Sequence, residues 1–245
     1  LSTTQKLWLQ NNTVGTDEGA PKGENRLDYI RGDRTKEGVD PSGYTATKPF
    51  RQRQSIQGDT INSDVLYTGV PSSDYLLKVY SAFVRANRAR PGMLYVGGND
   101  GMLHGFAALD GSEKLAYVPR GAIPTLTLLT DPQDNNKHKF HVDGSPMTGD
   151  VDLNGGIQDP SDPNFSTYAP NWRTMLVGTM GLGGKGYFVL DVTNPGFSAK
   201  PARTGQTADT PVPSGKPASN FSATNAAQLV VMDRTRSPES GELAC

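Results

Sequence analysis

The segment GTMGLGGKGYFVLDVTNP, residues 178–195, places five glycines and one lysine in nine residues and follows them with an apolar run. Such a loop suggests a phosphate cradle, but the P-loop pattern G-x-x-x-x-G-K-[ST] fails at both ends. With Lys185 in the lysine position, Thr179 replaces the first glycine and Gly186 replaces the final Ser or Thr. The β-branched and aromatic residues at 187–192, and the short apolar run before the loop, instead predict a β-hairpin with a glycine-rich turn. We therefore expect no nucleotide cofactor.

A second hairpin of the same kind occurs earlier, in MLYVGGNDGMLHGFAALD, residues 93–110. Its Asn-Asp-Gly turn suits a hairpin because these residue types tolerate left-handed backbone. Gly97 and Gly178 are 81 residues apart, and so are Asp110 and Asp191. Matched positions at one spacing predict an internal repeat.

Each repeat fits the plan of one propeller blade, which is four antiparallel strands joined by tight turns. Ser63 and Ser145, 82 residues apart, open the two repeats. Two blades cannot close a ring, because propellers contain about four to eight, so we expect the chain to be part of a larger propeller. The predicted strands are residues 61–69, 93–97, 103–110 and 114–118 in the first blade (59–120), and 140–153, 173–178, 187–192 and 228–233 in the second (138–235). Both blades fall in one domain, residues 59–245, after a loop-rich lead-in at residues 1–58.

One amphipathic helix is predicted inside the first blade, at residues 73–90. Ser73 is a suitable N-cap, a Pro-Gly pair ends the pattern, and apolar residues recur at helical spacing. The insertions at residues 154–171 and 196–225 predict loops. The fold class is therefore all-β and mainly antiparallel, a partial and modified β-propeller with one inserted helix. The apolar helix residues are Leu76, Leu77, Tyr80, Phe83 and Val84.

Composition and charge exclude several classes of protein. The chain has 245 residues and a net charge of −1, so no global field favours nucleic acid. No apolar run approaches the roughly 18 residues of a membrane span. Because Leu1 is not an initiator methionine and no signal peptide is visible, we expect a processed product or a fragment. Cys245 is the only cysteine, so no internal disulfide can form.

Five segments, in chain order, carry a family resemblance: RGDRTKEG (31–38), FRQRQSIQGDTINSDVLYTG (50–69), LYVGGNDGMLHGF (94–106), FHVDGSPMTGD (140–150) and WRTMLVGTMGLGGKGYFVLDVTNP (172–195). The ordered set resembles the propeller domain of the type IV pilus tip-associated adhesins, the PilY/PilC family. The resemblance implies an exported bacterial protein at the pilus tip, cell surface or outer membrane, with roles in pilus assembly and attachment. It implies minor pilins of the tip complex and a host-cell or abiotic surface as partners. The family's N-terminal region, later blades and usual calcium-binding loop fall outside this sequence.

One candidate metal site lies in DVDLNG, residues 150–155, which matches the first half of the calcium loop D-x-D-x-N-G. Alternate oxygens converge on a cation there, and the glycine permits the sharp turn. The second half departs, because Ser161 stands where a bidentate glutamate is expected. An ordinary solvated turn is the alternative, since Asp, Asn and Gly are common turn residues. The proposed calcium ligands are Asp150, Asp152, Asn154 and Asp159, with Asp162 as a substitute for Asp159.

One candidate partner site is the RGD triplet Arg31-Gly32-Asp33, which lies in a polar stretch. The family resemblance implies integrin recognition for some members that carry such a triplet. The alternative is a structural turn whose Arg and Asp make local ion pairs.

No catalytic residue is expected. Ser145 does not fit the nucleophile pattern G-x-S-x-G, and a proline follows it where a helix should begin. His138 and His141 open a predicted strand, where a spacing of three puts them on opposite faces, and no zinc-ligand pattern completes them. Asp143 and Asp191 are expected to accept backbone N–H bonds in turns.

Three functions compete on this sequence. The first is a non-catalytic structural and adhesive module at a pilus tip, as the ordered segments suggest. The second is a quinoprotein-like propeller dehydrogenase, because YVGGNDGMLHGF alone also resembles quinoprotein blades. That chemistry needs a cofactor pocket and calcium ligands gathered from several blades. The third is a generic protein-binding propeller scaffold. We expect a binding module rather than an enzyme.

Overall fold

A computed structural model describes residues 1–12, 15–39, 43–132, 138–157, 159–196, 221 and 226–236. Its centre is a pair of four-stranded antiparallel sheets, and in each sheet the strands lie side by side in chain order. The repeat predicts this arrangement, and the dominance of antiparallel sheet is confirmed. None of the helices in the described ranges is long and apolar enough to cross a membrane.

The first sheet is built around the Asn-Asp-Gly hairpin. Residues 93–97 form a strand, as predicted, and pair with the next strand from Met93–Ala107 to Gly97–Leu103. A β-bulge between Gly105 and Phe106 interrupts the pairing with the last strand. The four strands are β1 (Leu66–Thr68), β2 (Met93–Gly97), β3 (Leu103–Ala107) and β4 (Glu113–Tyr117).

The second sheet is built around the glycine-rich hairpin, and the hairpin prediction is confirmed. Thr179 pairs with Tyr187, and the chain turns between them through a short 3₁₀ segment, Gly181–Gly183, with no helix after it. A β-bulge again precedes the last strand, here between Val189 and Leu190. The four strands are β5 (Met147–Asp152), β6 (Trp172–Thr179), β7 (Tyr187–Asp191) and β8 (Val230–Asp233).

The two sheets stack face to face, with equivalent strands opposite each other. Thr68 on β1 meets Thr148 on β5 with 3.2 Å between hydroxyls, and the Tyr117 hydroxyl on β4 donates to Asp233 on β8 at 2.6 Å. Between these polar edges lies the main core, which excludes water and supplies most of the stabilisation of the stack. Its fully buried members include Met93, Tyr95 and Leu103 from the first sheet and Leu176, Phe188 and Leu190 from the second.

The first strand of each sheet is shorter than predicted. Residues 61–65 and 140–146 are irregular, and strands begin only at Leu66 and Met147. Both irregular segments lie between the sheets, and they bond to each other instead of joining a ladder. The Asn62 side chain donates to the Asp143 carboxylate at 2.8 Å, and the Asp64 N–H donates to the Ser145 hydroxyl at 2.9 Å.

The prediction of a loop-rich lead-in at residues 1–58 is wrong for two segments, which form the helices α1 (Thr3–Gln10) and α2 (Ala20–Ile30). Ser2 and Gln5 form a capping box at the start of α1, and Pro21 lies in the first turn of α2. Both helices pack on the 3₁₀ helix Ile123–Thr130, which follows the first sheet. A second core forms there from Leu9, Tyr29, Ile30, Phe50, Met102, Ile123 and Leu126.

The inserted helix is shorter than the predicted residues 73–90. Helix α3 spans Tyr80–Ala86, so Ser73 is not its N-cap. Val79 precedes it with a φ of 61°, a left-handed conformation that a β-branched residue rarely adopts and that prevents the helix from extending backwards. Leu76 is fully exposed as a result and does not join the predicted apolar face. A last short helix, α4 (Ala226–Leu229), leads into β8.

Candidate functional site

The proposed calcium ligands Asp150 and Asp152 alternate on β5 and therefore lie on the same face of the strand. Asp150 accepts hydrogen bonds from the hydroxyls of Tyr80 and Thr174, each at 2.6 Å. Thr174 in turn accepts from the buried guanidinium of Arg90, also at 2.6 Å. The Asp150 carboxylate is thus one part of a polar network that ties the inserted helix and Arg90, which follows it, to the second sheet.

Asp152 organises the start of the insertion that follows β5. One carboxylate oxygen accepts the N–H groups of Asn154 at 3.1 Å and Asn171 at 2.8 Å, and the other accepts the Tyr168 hydroxyl. Burial raises the pKa of the Asp152 carboxyl, but these hydrogen bonds outweigh it and leave the pKa lowered. Asn154 donates its side-chain amide to the Ala169 carbonyl at 2.8 Å, so these residues close both ends of the loop.

Asp159 lies in a separate turn, where its carboxylate accepts the N–H and hydroxyl of Ser161 at 2.8 and 2.7 Å. Asp162 likewise accepts from the N–H of Asn164. The structure therefore brings Asp152 and Asn154 together but gives Asp150 and Asp159 other partners. No group of three or more His, Cys, Asp or Glu side chains suited to a metal ion occurs within the described ranges. Calcium binding stays a prediction, because Ca²⁺ also takes amide, carbonyl and water oxygens.

The RGD triplet forms the C-terminal cap of α2. Gly32 has a φ of 105°, its N–H donates to the Tyr29 carbonyl at 2.9 Å, and the Asp33 N–H donates to the Asp28 carbonyl at 2.9 Å. This is the Schellman arrangement, in which glycine supplies the left-handed residue after the helix. The side chains of Arg31 and Asp33 are exposed. The carboxylate of Asp33 accepts the Thr35 N–H at 2.7 Å, which lowers the pKa of Asp33. Integrin recognition stays a prediction.

Sequence reasoning missed an ionic cluster in the first hairpin. His104, which is only 3% exposed, lies between two carboxylates. Its Nε2 is 2.9 Å from Asp100, and its Nδ1 is 2.6 Å from Glu113. Burial lowers the pKa of His104, but the two carboxylates outweigh it and raise the pKa overall. Asp100 and His104 are four residues apart across the turn, and this spacing of an acid and a histidine is a signal for the ion pair that the sequence shows. Glu113, in contrast, reaches the histidine only through the register of β3 and β4.

The other histidines do not pair with each other. His138 contacts the Asp59 carboxylate at 2.9 Å, whereas His141 is fully buried and its Nε2 contacts no acceptor or donor in the described part of the chain. Asp143 and Asp191 accept backbone N–H groups, from Asn62 and Thr193, as predicted.

A cleft of about 620 Å³ opens between α2 and the first hairpin. Residues 51–59 form one wall, and the end of the 3₁₀ helix and the hairpin turn at Asn99 and Asp100 form the rest. The lining mixes polar and apolar residues and includes Arg51 and His138. Clefts of this size are typical of ligand sites, and no motif in the sequence had indicated it.

This chain matches a model of a known protein family. A family model described as the PilY1 beta-propeller domain covers residues 57–205, which include both hairpins and the segment of the proposed calcium ligands. The RGD triplet at residues 31–33 and most of the helical lead-in precede the matched region.

Two relatives are similar over most of the chain. A type IV pilus biogenesis factor PilY1 homolog from Xylella fastidiosa is 37% identical over 201 residues, 79% of this chain. The type IV pilus biogenesis factor PilY1 of Pseudomonas aeruginosa strain PAK is 37% identical over 205 residues, 80% of this chain. The chain spans about 15% of the length of each of these relatives. The crystal structure of the Pseudomonas aeruginosa PilY1 C-terminal domain is 36% identical, with a TM-score of 0.32, over 51% of this chain and 22% of that one.

Proposed function

This chain belongs to the PilY1 β-propeller family, and from that premise we propose that it is a non-catalytic segment of a type IV pilus biogenesis factor. In this role it supplies two adjacent blades of a propeller and acts in pilus assembly and surface attachment at the pilus tip. The observation that carries the proposal is the identity of 37% over about four fifths of the chain to proteins named as type IV pilus biogenesis factors.

The face of the second sheet that is turned away from the first sheet gives evidence for further blades beside the two described. One apolar residue from each strand lines up in register across this face, turned away from the first sheet: Met147, Val177, Val189 and Met232. Met147 at the end of this row is 65% exposed, which favours a covering element of the kind that the first sheet provides on the opposite face. We propose that a third blade covers the row and that the full ring closes from further blades.

The proposed partners are the minor pilins of the tip complex and a host-cell or abiotic surface, with an exported location at the cell surface. Recognition by the connections is expected, because the strands commit their side chains to packing between sheets. The insertion at residues 154–171 is one such connection, and it contains Asp159 and Tyr168. The second, at residues 196–225, lies outside the described residues except for Gly196 and Phe221.

The experiment replaces the matching segment of the Pseudomonas aeruginosa relative with this chain and measures surface pili and twitching motility in a strain that lacks its own copy. The expected result is restored piliation and motility. The control exchange carries Leu103→Asp, which puts a charge in the core between the sheets and should abolish both at equal gene expression.

Restoration by the control as well would contradict a role for the folded blades. A stably produced exchange protein that restores neither pili nor motility would contradict the proposed function. A strain that regains pili but does not adhere would separate attachment from assembly and restrict the proposal to assembly.

A further inference from the structure

The cleft along residues 51–59 is lined by Arg51, whose guanidinium keeps an unsatisfied hydrogen-bond donor among the described residues. Nε of Arg51 is buried and has no hydrogen-bond partner among the described residues. Its neighbours are paired: Arg53 contacts Glu37 at 2.7 Å, and His138 contacts Asp59 at 2.9 Å. A buried donor without an acceptor is costly and uncommon in native proteins, so it needs an explanation. An anionic group bound in the cleft would supply the missing acceptor.

A second donor faces the same cleft. The Asn99 side chain, 4% exposed, accepts the His141 N–H at 3.1 Å, while its Nδ2 lies 3.4 Å from Nε2 of His138. His138 uses that nitrogen for Asp59, at the shorter distance of 2.9 Å. When Nε2 carries the proton for Asp59 it cannot also accept from Asn99, so the amide of Asn99 is available to a ligand.

The wall of the cleft also offers unpaired backbone. Arg51 and Arg53 use both their N–H and C=O groups: Arg51 N–H donates to Thr130 and Arg51 C=O accepts from Tyr29, while Arg53 bonds to Glu37 and Arg34. The alternate residues Gln52 and Gln54 have no backbone hydrogen bond to any described residue. Paired and unpaired positions thus alternate from Arg51 to Gln54, so the backbone groups of Gln52 and Gln54 are available to pair with an extended peptide.

The wall is held in place before any ligand binds. Tyr29 is 2% exposed and its hydroxyl lies 3.1 Å from the Arg51 carbonyl. The guanidinium of Arg53 stacks 3.6 Å from the centre of the Tyr29 ring and donates to the Tyr29 carbonyl at 2.6 Å. Such fixed positions lower the entropy lost when a ligand is bound.

We propose that this cleft binds an extended peptide segment that carries a carboxylate, with the carboxylate at Arg51 and the peptide backbone paired with Gln52 and Gln54. A small anion would satisfy Arg51 but would leave the alternating backbone groups and the length of the cleft unused. The inference goes beyond the proposed function, because it assigns a ligand class to a cleft that neither the family match nor the repeat predicts.

The test uses the whole chain and fluorescently labelled pools of random octapeptides with one central residue fixed as glutamate or as glutamine. Binding is measured by fluorescence anisotropy. We expect the glutamate pool to bind about tenfold more tightly, the difference that one charge-assisted hydrogen-bond pair supplies. Arg51→Gln should remove this preference, whereas Arg88→Gln, which removes an exposed arginine outside the cleft, should leave it within about twofold.

A third pool, with the glutamate kept and alternate peptide nitrogens methylated, tests the backbone pairing without any change to the protein. It should bind about tenfold more weakly than the unmethylated pool, since it loses its donors. Equal binding of the glutamate and glutamine pools, no binding of either, or an equal effect of the two arginine variants would overturn the proposal. Equal binding of the methylated pool, together with displacement by inorganic sulfate, would replace the peptide with a simple anion and also overturn it.

Discussion

The hairpin between β2 and β3 is closed by a side-chain carboxylate, whereas the hairpin between β6 and β7 is closed by glycines packed against backbone. In the first, Asp100 accepts the N–H groups of Met102 at 3.2 Å and Gly58 at 2.7 Å, and its charge faces His104. The turn and the incoming residues 58–59 are therefore held by the same carboxylate.

The second hairpin contains no carboxylate in its glycine-rich turn. A Cβ on Gly183 would lie 1.8 Å from the His141 carbonyl oxygen, and one on Gly186 would lie 2.1 Å from the Arg234 carbonyl oxygen. Gly186 also has a φ of 94°. Four of the five glycines let neighbouring backbone come close, and Gly178 makes room for the Phe188 ring, so the loop is a packing device and not a phosphate cradle.

The difference shows that one blade plan can be stabilised by either of two kinds of interaction. The first hairpin depends on charge and is therefore sensitive to pH, while the second depends on space and is therefore sensitive to any added side chain. Substitutions that act on one hairpin and spare the other can separate the two.

The largest effect is expected in the second hairpin, for Gly183→Ala. The methyl group would collide with backbone that has no flexible end to move away, so we expect a loss of about 3 kcal/mol or more in the free energy of unfolding. Urea denaturation followed by circular dichroism measures it. Gly149→Ala on β5 is the matched control, because nothing lies within 4 Å of its added Cβ; it should change stability by less than about 1 kcal/mol. Similar losses for both variants would contradict the packing argument.

In the first hairpin, His104→Gln should cost about 1–3 kcal/mol at slightly acidic pH, because two carboxylates lose a cationic partner. The raised pKa of His104 fixes the sign of the pH dependence. Its stabilisation is complete below the pKa of an unfolded histidine, about 6.5, and is lost as pH rises through the folded pKa above that value.

The gap in unfolding free energy between wild type and His104→Gln should therefore narrow as the pH rises above about 6.5 and through the raised pKa of folded His104. Asp100 and Glu113 are the carboxylates that face His104. The pKa of His141 is lowered by burial, so its effect has the opposite sign, lies at lower pH and is common to both proteins. A gap that is constant or widens with pH would show that His104 does not act as a cation.

Much of the sheet architecture was predictable from local patterns. Turn residues such as Asn-Asp-Gly and apolar runs of strand length located both hairpins, and the bounds of β2 were correct. The length of the first strands was not predictable, because Asn62 and Asp143 are engaged between the sheets by contacts 81 residues apart. The inserted helix was predicted too long, since periodicity alone cannot reveal that the backbone at Val79 is left-handed.

The lead-in helices and the candidate sites show a second limit of prediction from sequence. The buried side of α2 includes Gly23 and Arg26, so the helix lacks an apolar stripe. For α1 a local signal does exist, because Ser2 and Gln5 form a capping box. The spacing of Asp100 and His104 is visible in the local sequence, but the contact of His104 with Glu113 and the cleft at Arg51 are not, because they join elements whose relative position depends on register and packing.

A glycine outside the blades extends the comparison to a helix end. Gly32→Ala places a Cβ on a residue with a φ of 105°, and we expect a loss of about 1 kcal/mol through the cap of α2. Thermal unfolding measures the loss. Arg31→Ala, the control on the exposed neighbour, should have almost no effect on the melting temperature.

If the RGD triplet also binds integrin, Arg31→Ala should weaken attachment to immobilised integrin while stability stays the same. Unchanged attachment would leave the triplet with its capping role alone.

The smallest effect is expected for calcium at the start of the insertion after β5, where backbone and hydroxyl donors already hold the Asp152 carboxylate. A cation that binds only the folded chain raises the melting temperature, and a weak site that must displace the Tyr168 hydroxyl would raise it by only about a few degrees. Wild type should show this rise with millimolar calcium and a smaller one with magnesium, which demands stricter octahedral geometry. Asp152→Asn should abolish the rise in melting temperature, because it removes the charge at the position shared by both ends of the loop.

Asp159→Asn tests the remaining ligand, since Asp159 bonds within its own turn and contributes to a site only if the loop rearranges around the cation. A rise that survives Asp152→Asn would place the ion elsewhere, and identical melting curves of wild type with calcium and with EDTA would exclude the site.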